Sequence, residues 1–331
     1  MKIGMFVTLE WDAVNDDGRH LANTLDLVRT ARDAGFSSLW LPQHFVGGPN
    51  MRQFATAPIL GLLAGQTQGM TLGTAVLLLP MLNPVLLAEE AATLDHLTDG
   101  KFILGVGLGY RDEEFRAFGI ERKSRVARLV EYVAAMRQLW ANERTSFHGK
   151  YVNFDDISLS LRPRNGSSIP IWLAGAVDEA VKRAAVIGDS WSNAGAMSID
   201  ELRRWWGIFH QARIEHGRPL DYRRQIAREC FCGPDMKTAV ALASKPLMEK
   251  YARYAGGGWG GFDSSGGEQA FRDFARDRFV VGDEAYVRDE LARYRDELGA
   301  DELRFRVAWP GLAQSEVLAS IKRLGRIAAT L

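Results

Sequence analysis

Short apolar and β-branched runs recur along the chain at residues 3–8, 38–41, 71–78, 102–106, 171–174, 190–193, 225–231 and 303–308. Most are separated by stretches of helical periodicity. Leu21, Leu25, Val28 and Ala31 share one helical face, as do Ala88, Ala91, Ala92, Leu94 and Asp95. Strands alternating with amphipathic helices predict parallel strands joined by helical crossovers. Eight of them favour an α/β fold of the (β/α)8 TIM-barrel type over an open doubly wound sheet. Length alone suggests about two domains, but α/β barrels reach this size as one, so residues 1–331 are expected to form a single domain. Chemistry in such a barrel belongs to the loops after the C-terminal ends of the strands.

Two segments exceed a minimal barrel. Residues 146–161 (SFHGKYVNFDDISLSL) alternate polar and apolar positions, which predicts a hairpin inserted before the fifth strand. Residues 256–278 are glycine-rich and follow the helix after the seventh strand. Such a segment cannot hold a fixed conformation by itself and suits either a linker or an active-site lid. Trp259 and Phe262 put large apolar groups there and favour a mobile lid.

The chain carries 41 Lys plus Arg against 41 Asp plus Glu, so its zero net charge excludes nucleic-acid binding by bulk charge. With 47% hydrophobic and 25% charged residues it can bury a sizeable core. The longest apolar run, residues 74–88, is interrupted by Pro80, Asn83 and Pro84, so no membrane-spanning helix is expected. Glu10 and Asp12 arrive before a signal-peptide apolar region could form, and a cytoplasmic location is expected. Cys230 and Cys232 suit a reduced compartment and are expected to be buried strand thiols.

Several motifs fail. In ILGVGLGYRDEE, Gly105, Gly107 and Gly109 are followed by Tyr110 where a dinucleotide fingerprint needs its third glycine. There is no phosphate-cradle lysine and no His-Glu-x-x-His, and the scattered histidines and the two cysteines have no metal spacing. What remains lies at strand ends. His44, in LWLPQHF, stands just past the second strand, a position for acid/base work as well as for a structural histidine. Gly105, Gly107 and Gly109 either let a flat ligand approach the backbone or simply form a tight turn. The fifth strand ends in an Ala-Gly-Ala turn, Ala174 to Ala176, that opens into a helix whose free N–H groups suit a phosphate. Phe6, Trp11, Phe45 and Trp309 would make an apolar substrate wall or ordinary rim packing.

The stretch TLGTAVLLLPMLNPVLLAEEAATLDHLTDGKFILGVGLGYRDEEFRAFGI resembles the core signature of the bacterial luciferase-like flavin-dependent monooxygenases. KIGMFV, GFSSLWLPQHF, FHGKYVNF, PIWLAGAVDEAVKRAAVIGDSW and FVVGDEAYVRDELARYRDELGAD extend the resemblance over almost the whole chain. It implies a barrel that binds reduced FMN, or in sister branches the deazaflavin coenzyme F420, at its C-terminal face. It further implies a non-proline cis peptide between Ala75 and Val76 against the flavin ring, Gly107 and Tyr110 flanking the ring, Gly175 and Ala176 giving N–H groups to the phosphate, Trp191 closing the pocket near the ring, and His44 as acid/base. Relatives often carry serine or threonine where this chain has Ala176, Val177 and Glu179, so phosphate binding would lean on backbone groups and on a basic residue such as Arg164. Luciferases proper have cysteine and arginine where Gly107 and Leu108 stand, which speaks against light emission.

The implied reaction is mono-oxygenation of a small, largely apolar organic molecule, with reduced FMN from a separate flavin reductase, dioxygen as oxidant and a homodimer as assembly. The alternative within the family is an F420-dependent oxidoreductase that moves hydride. A non-catalytic flavin-binding barrel would not need His44 or the lid, and a metal-dependent hydrolase would need paired histidines with a carboxylate at strand ends.

Overall fold

The computed structural model describes residues 1–12, 17–48, 51–164, 166, 168–256 and 267–331. Its strands are β1 Lys2–Phe6, β2 Glu10–Asp12, β3 Ser38–Leu41, β4 Met51–Gln53, β5 Thr71–Thr74, β6 Leu77–Leu78, β7 Phe102–Gly107, β8 Thr145–His148, β9 Asn153–Ile157, β10 Ile171–Ala174, β11 Ser190–Ser192, β12 Gln225–Cys232, β13 Phe279–Gly282 and β14 Glu302–Arg306. Its helices are α1 Asp17–Asp33, α2 Thr56–Ala64, α3 Pro84–Leu97, α4 Asp112–Ala117, α5 Arg125–Ala141, α6 Asp178–Ile187, α7 Ile199–Glu215, α8 Met236–Gly256, α9 Gly267–Ala275, α10 Glu284–Leu298 and α11 Gln314–Ala328.

The main sheet runs β11-β10-β7-β5-β3-β1-β14-β12-β13, with β6 also on β7, and its pairings are parallel. It curls in the manner of a TIM barrel until β11 approaches β12. There side chains bridge the strands: Ala227 N donates to Asn193 Oδ1 at 3.0 Å, and Ser190 Oγ donates to the Arg223 carbonyl at 2.6 Å.

Alternation along each strand sorts the residues. Ile3, Met5, Leu39, Leu41, Leu104, Val106, Ile171, Leu173, Leu303 and Phe305 are buried in one apolar cluster with helical residues such as Val28, Ala88 and Ala91. Each large apolar side chain removed from water there contributes on the order of 1.5–3 kcal/mol. The intervening positions hold a different set: Trp40 stacks on Trp172 with centroids 5.0 Å apart, and the Arg304 guanidinium lies 5.3 Å from the Trp40 ring. Glu302, fully buried, accepts from Ser38 Oγ at 2.7 Å and from Arg223 Nη2 at 3.1 Å.

Four features depart from the sequence pattern. The run 71–78 is two strands, β5 and β6, divided at Ala75–Val76, whose peptide bond is cis as the resemblance implied. β13 adds a strand on β12. The expected hairpin is present but narrower, β8 against β9, with its turn fixed by the Glu131 carboxylate, which accepts from the amides of Lys150, Tyr151 and Val152. Within the expected lid, residues 257–266, including Trp259 and Phe262, lie outside the described residues. Residues 267–275 form α9, because Phe271 and Phe274, spaced three apart, pack beside Tyr251 and Phe279. Glycine content therefore did not leave that part without structure.

Candidate active site

The end of β7 meets the bend between β5 and β6. Thr74 Oγ1 donates to the Gly105 carbonyl at 2.7 Å and accepts from Gly105 N at 2.8 Å. A Cβ on Gly105 would fall 1.8 Å from the Thr74 carbonyl oxygen, and one on Gly107 would fall 2.6 Å from Val76 Cγ2. Glycine at 105 is thus required by the approach of the neighbouring backbone, within β7 and not in a tight turn. Gly107 ends β7 beside Val76, so Ala75, Val76 and Gly107 form one contiguous patch carrying small side chains. Tyr110, 39% exposed, stands just beyond, its ring edge-on to His44 at 5.6 Å between centroids.

His44 is held from several directions. Thr56 Oγ1 donates to the Pro42 carbonyl at 2.8 Å, Gln53 Nε2 donates to the His44 carbonyl at 2.8 Å, and the Arg111 guanidinium donates to the carbonyls of Phe45 and Val46 at 3.2 Å each. Val46 adopts φ of 46°, a region β-branched residues avoid, and the Arg111 fork fixes the loop there. The buried Glu114 carboxylate completes the arrangement: its Oε1 accepts from Phe45 N at 2.8 Å and lies 3.0 Å from His44 Nδ1. When Glu114 is ionised it only accepts, so the proton of this contact then sits on Nδ1 and Nε2 is left for a ligand. The histidine side chain keeps 21% exposure while Glu114 has none. Gln43 secures the adjoining strand, its Oε1 accepting from Leu78 N at 2.9 Å.

At the end of β10, Gly175 and Ala176 lead into α6. Val177, the N-cap residue, provides no side-chain cap for the helix start. The first-turn acids turn elsewhere: Asp178 binds Arg204 and Trp205 of α7, and Glu179 pairs with Lys182. Trp191 lies fully buried on the helix side of the sheet, edge-on to Trp205 and Trp206 of α7. It reaches this turn through Nε1, which donates to the Gly175 carbonyl at 2.9 Å. Arg164 cannot serve the turn as expected: it precedes β10, at the opposite end of the strand, and pairs with Asp99 at 2.6 Å. Cys230 and Cys232 are buried thiols, and burial pushes Cys232 up to about 12. Among the described residues no group of metal-ligating side chains gathers, and no helix is long and apolar enough to cross a membrane.

A charged layer that the sequence pattern does not show lies where Glu229, inside β12, pairs in register with Arg306 at the end of β14. Buried Glu229 binds Lys250 of α8, accepts from Tyr251 Oη at 2.9 Å and from Trp309 Nε1 at 2.6 Å, and lies 3.5 Å from Arg306 Nη1. Burial alone would raise the Glu229 pKa, but Lys250 and Arg306 hold it below the ordinary range. Lys250 is pushed down to about 7, chiefly by burial and next by Arg306. Arg306 lies over the Phe6 ring at 4.2 Å, and Arg304, one inward position behind it, is pushed down to about 9 by burial. Trp309 and Phe6, expected either as an apolar substrate wall or as rim packing, instead serve this charged layer. Trp11 instead stacks on His20 at 4.1 Å, and Phe45 packs on Phe118 at 4.6 Å.

A family model described as luciferase-like monooxygenase matches residues 1–302. An F420-dependent glucose-6-phosphate dehydrogenase of Kineococcus radiotolerans is 34% identical over 182 residues, 53% of this chain and 53% of that protein. The 4-hydroxyprotoasukamycin monooxygenase of Streptomyces nodosus subsp. asukaensis is 28% identical over 230 residues, 67% of this chain and 61% of the relative. The match thus spans between half and two thirds of either relative. Among solved structures, the FMN-bound oxygenating constituent of 3,6-diketocamphane monooxygenase, a type II Baeyer-Villiger enzyme from Pseudomonas putida, superposes with a TM-score of 0.81 at 18% identity, covering 100% of this chain and 98% of its own. That likeness supports the shared fold. Because the family model spans nearly the full chain, the protein belongs to the luciferase-like monooxygenase family.

Proposed function

We propose that the protein is a flavin-dependent monooxygenase that uses reduced FMN and dioxygen to oxygenate a small organic substrate, with a separate reductase supplying the flavin. The observation that carries the proposal is the His44–Glu114 pair beside the patch of Ala75, Val76 and Gly107. A planar ring fits a surface of small side chains, and the uncapped start of α6 suits a phosphate, with Gly175 and Ala176 as the donors. Trp191 would act by holding the Gly175 carbonyl, keeping the turn's shape. Tyr110 would border the ring on its exposed side. Bound reduced FMN supplies the electrons that activate dioxygen for transfer of one oxygen atom. His44 Nε2 then takes or returns a proton at the reacting centre, oriented by Glu114 through Nδ1. Closure of the curled sheet into a complete eight-stranded barrel, the cytoplasmic location and a homodimer belong to the same proposal.

A deazaflavin hydride-transfer enzyme is the second reading, favoured by the 34% identity with the F420-dependent relative. The test supplies small ketones, aldehydes and carboxylic acids to the protein with FMN, a flavin reductase and ¹⁸O₂. One ¹⁸O atom per product is the expected result. Turnover that proceeds only with reduced deazaflavin, without label, would reverse the assignment.

A further inference from the structure

The Glu114 carboxylate is fully buried, and its two oxygens are unequally served. Oε1 accepts from Phe45 N and meets His44 Nδ1, whereas Oε2 has no hydrogen-bond partner. Burial of a carboxylate with an unmet oxygen favours the neutral acid unless a cation stands near. Arg111 is such a cation, with Nη1 3.7 Å from Glu114 Oε1. Its guanidinium is pinned there: Nε donates to Glu113 Oε1 at 2.7 Å, and the two terminal nitrogens donate to the Phe45 and Val46 carbonyls at 3.2 Å each. Glu113 shares the charge but its side chain is 47% exposed, so water screens that pair more than the contact with buried Glu114.

We infer that Arg111 is a positioning residue that decides which nitrogen of neutral His44 carries the proton. With the guanidinium in place Glu114 stays ionised, accepts from Nδ1–H and leaves the Nε2 lone pair for the reacting centre. Without it Glu114 takes up one proton from water and becomes the donor in the same contact. Nδ1 must then accept, and the imidazole proton moves to Nε2. His44 would enter the reaction as a hydrogen-bond donor and no longer as a base. The inference rests on His44 being the acid/base proposed above, and Arg111 acts on it only through Glu114 and the loop of Phe45 and Val46.

The test reads the imidazole by ¹⁵N NMR at about pH 8.5, well above the ordinary imidazole value, on the protein without flavin. The native protein should carry the proton on Nδ1, and the ¹³C shift of the Glu114 carboxyl should report the ionised form, neither of which needs a variant. Arg111→Met should move the proton to Nε2 in most molecules. Arg111→Lys should keep it on Nδ1, because lysine retains the charge though not the fork. In a Glu114→Ala background Arg111→Met should change nothing further, since the carboxylate through which it acts is gone. A native protein with Nε2–H or a protonated Glu114 would overturn the inference, as would Nδ1–H retained in Arg111→Met. So would an Arg111→Lys protein that matches Arg111→Met, since the fork and not the charge would then set the tautomer. A tautomer that follows Arg111 in a protein that oxygenates nothing would sink the proposed function and leave this control of the histidine standing.

Discussion

At the scale of single residues, the account turns on a histidine whose tautomer is set by a buried acid. His44→Ala is expected to retain flavin binding and lose about a hundredfold or more in turnover, the usual scale for a positioned acid/base, measured by steady-state kinetics with saturating reduced FMN. Full turnover in that variant would make His44 structural. Glu114 positions His44 and touches neither substrate nor cofactor in the proposal, so its test reads the imidazole directly: ¹⁵N shifts should report protonated Nδ1 in the native protein and a mixture of tautomers in Glu114→Ala. An unchanged tautomer would remove Glu114 from the role. His44 was legible in the sequence because a strand end announces it. Glu114 was not. Asp112, Glu113 and Glu114 are consecutive acids, and only the fold shows that the first pairs with Arg122, the second with Arg111, and the third turns fully inward.

At the scale of elements, the glycines divide by what surrounds them. Gly105→Ala forces a methyl group to 1.8 Å from a neighbouring carbonyl oxygen, so the β5–β7 contact must open, at a cost of about 1–3 kcal/mol or more. Gly61→Ala, on an exposed position of α2 with nothing within 4 Å, should stabilise by roughly 0.5–1 kcal/mol through helix propensity. Urea midpoints that move together for both variants would contradict the close approach at Gly105. The sequence pattern located the strands of the curled sheet well because residues such as Leu39, Leu104 and Leu173 must face the helices. It missed β13, only four residues long, whose Val280 and Val281 resemble any short apolar run. It also missed α9, where glycine content outweighed the spacing of Phe271 and Phe274.

At the scale of the whole molecule, the charged layer couples stability to pH. Lys250, ordinarily near 10.5, is held at about 7 by burial and Arg306, so between those values the folded chain binds fewer protons than the unfolded one. Its contribution to stability therefore rises as pH climbs through that window. The melting temperature of the native protein relative to Lys250→Met should accordingly increase from pH 7 toward pH 10, and a flat or falling difference would contradict it. None of this layer was legible in the sequence, because Glu229, Lys250 and Arg306 come from β12, α8 and β14 and meet only when the sheet curls. The central claim, that the strand-end site holds reduced FMN, is tested most directly by anaerobic titration of the protein with reduced FMN and with reduced F420. The account predicts saturable binding of reduced FMN at least about tenfold tighter than of the deazaflavin, a difference of about 1.4 kcal/mol. Tighter binding of reduced F420, with no saturable binding of reduced FMN, would contradict it.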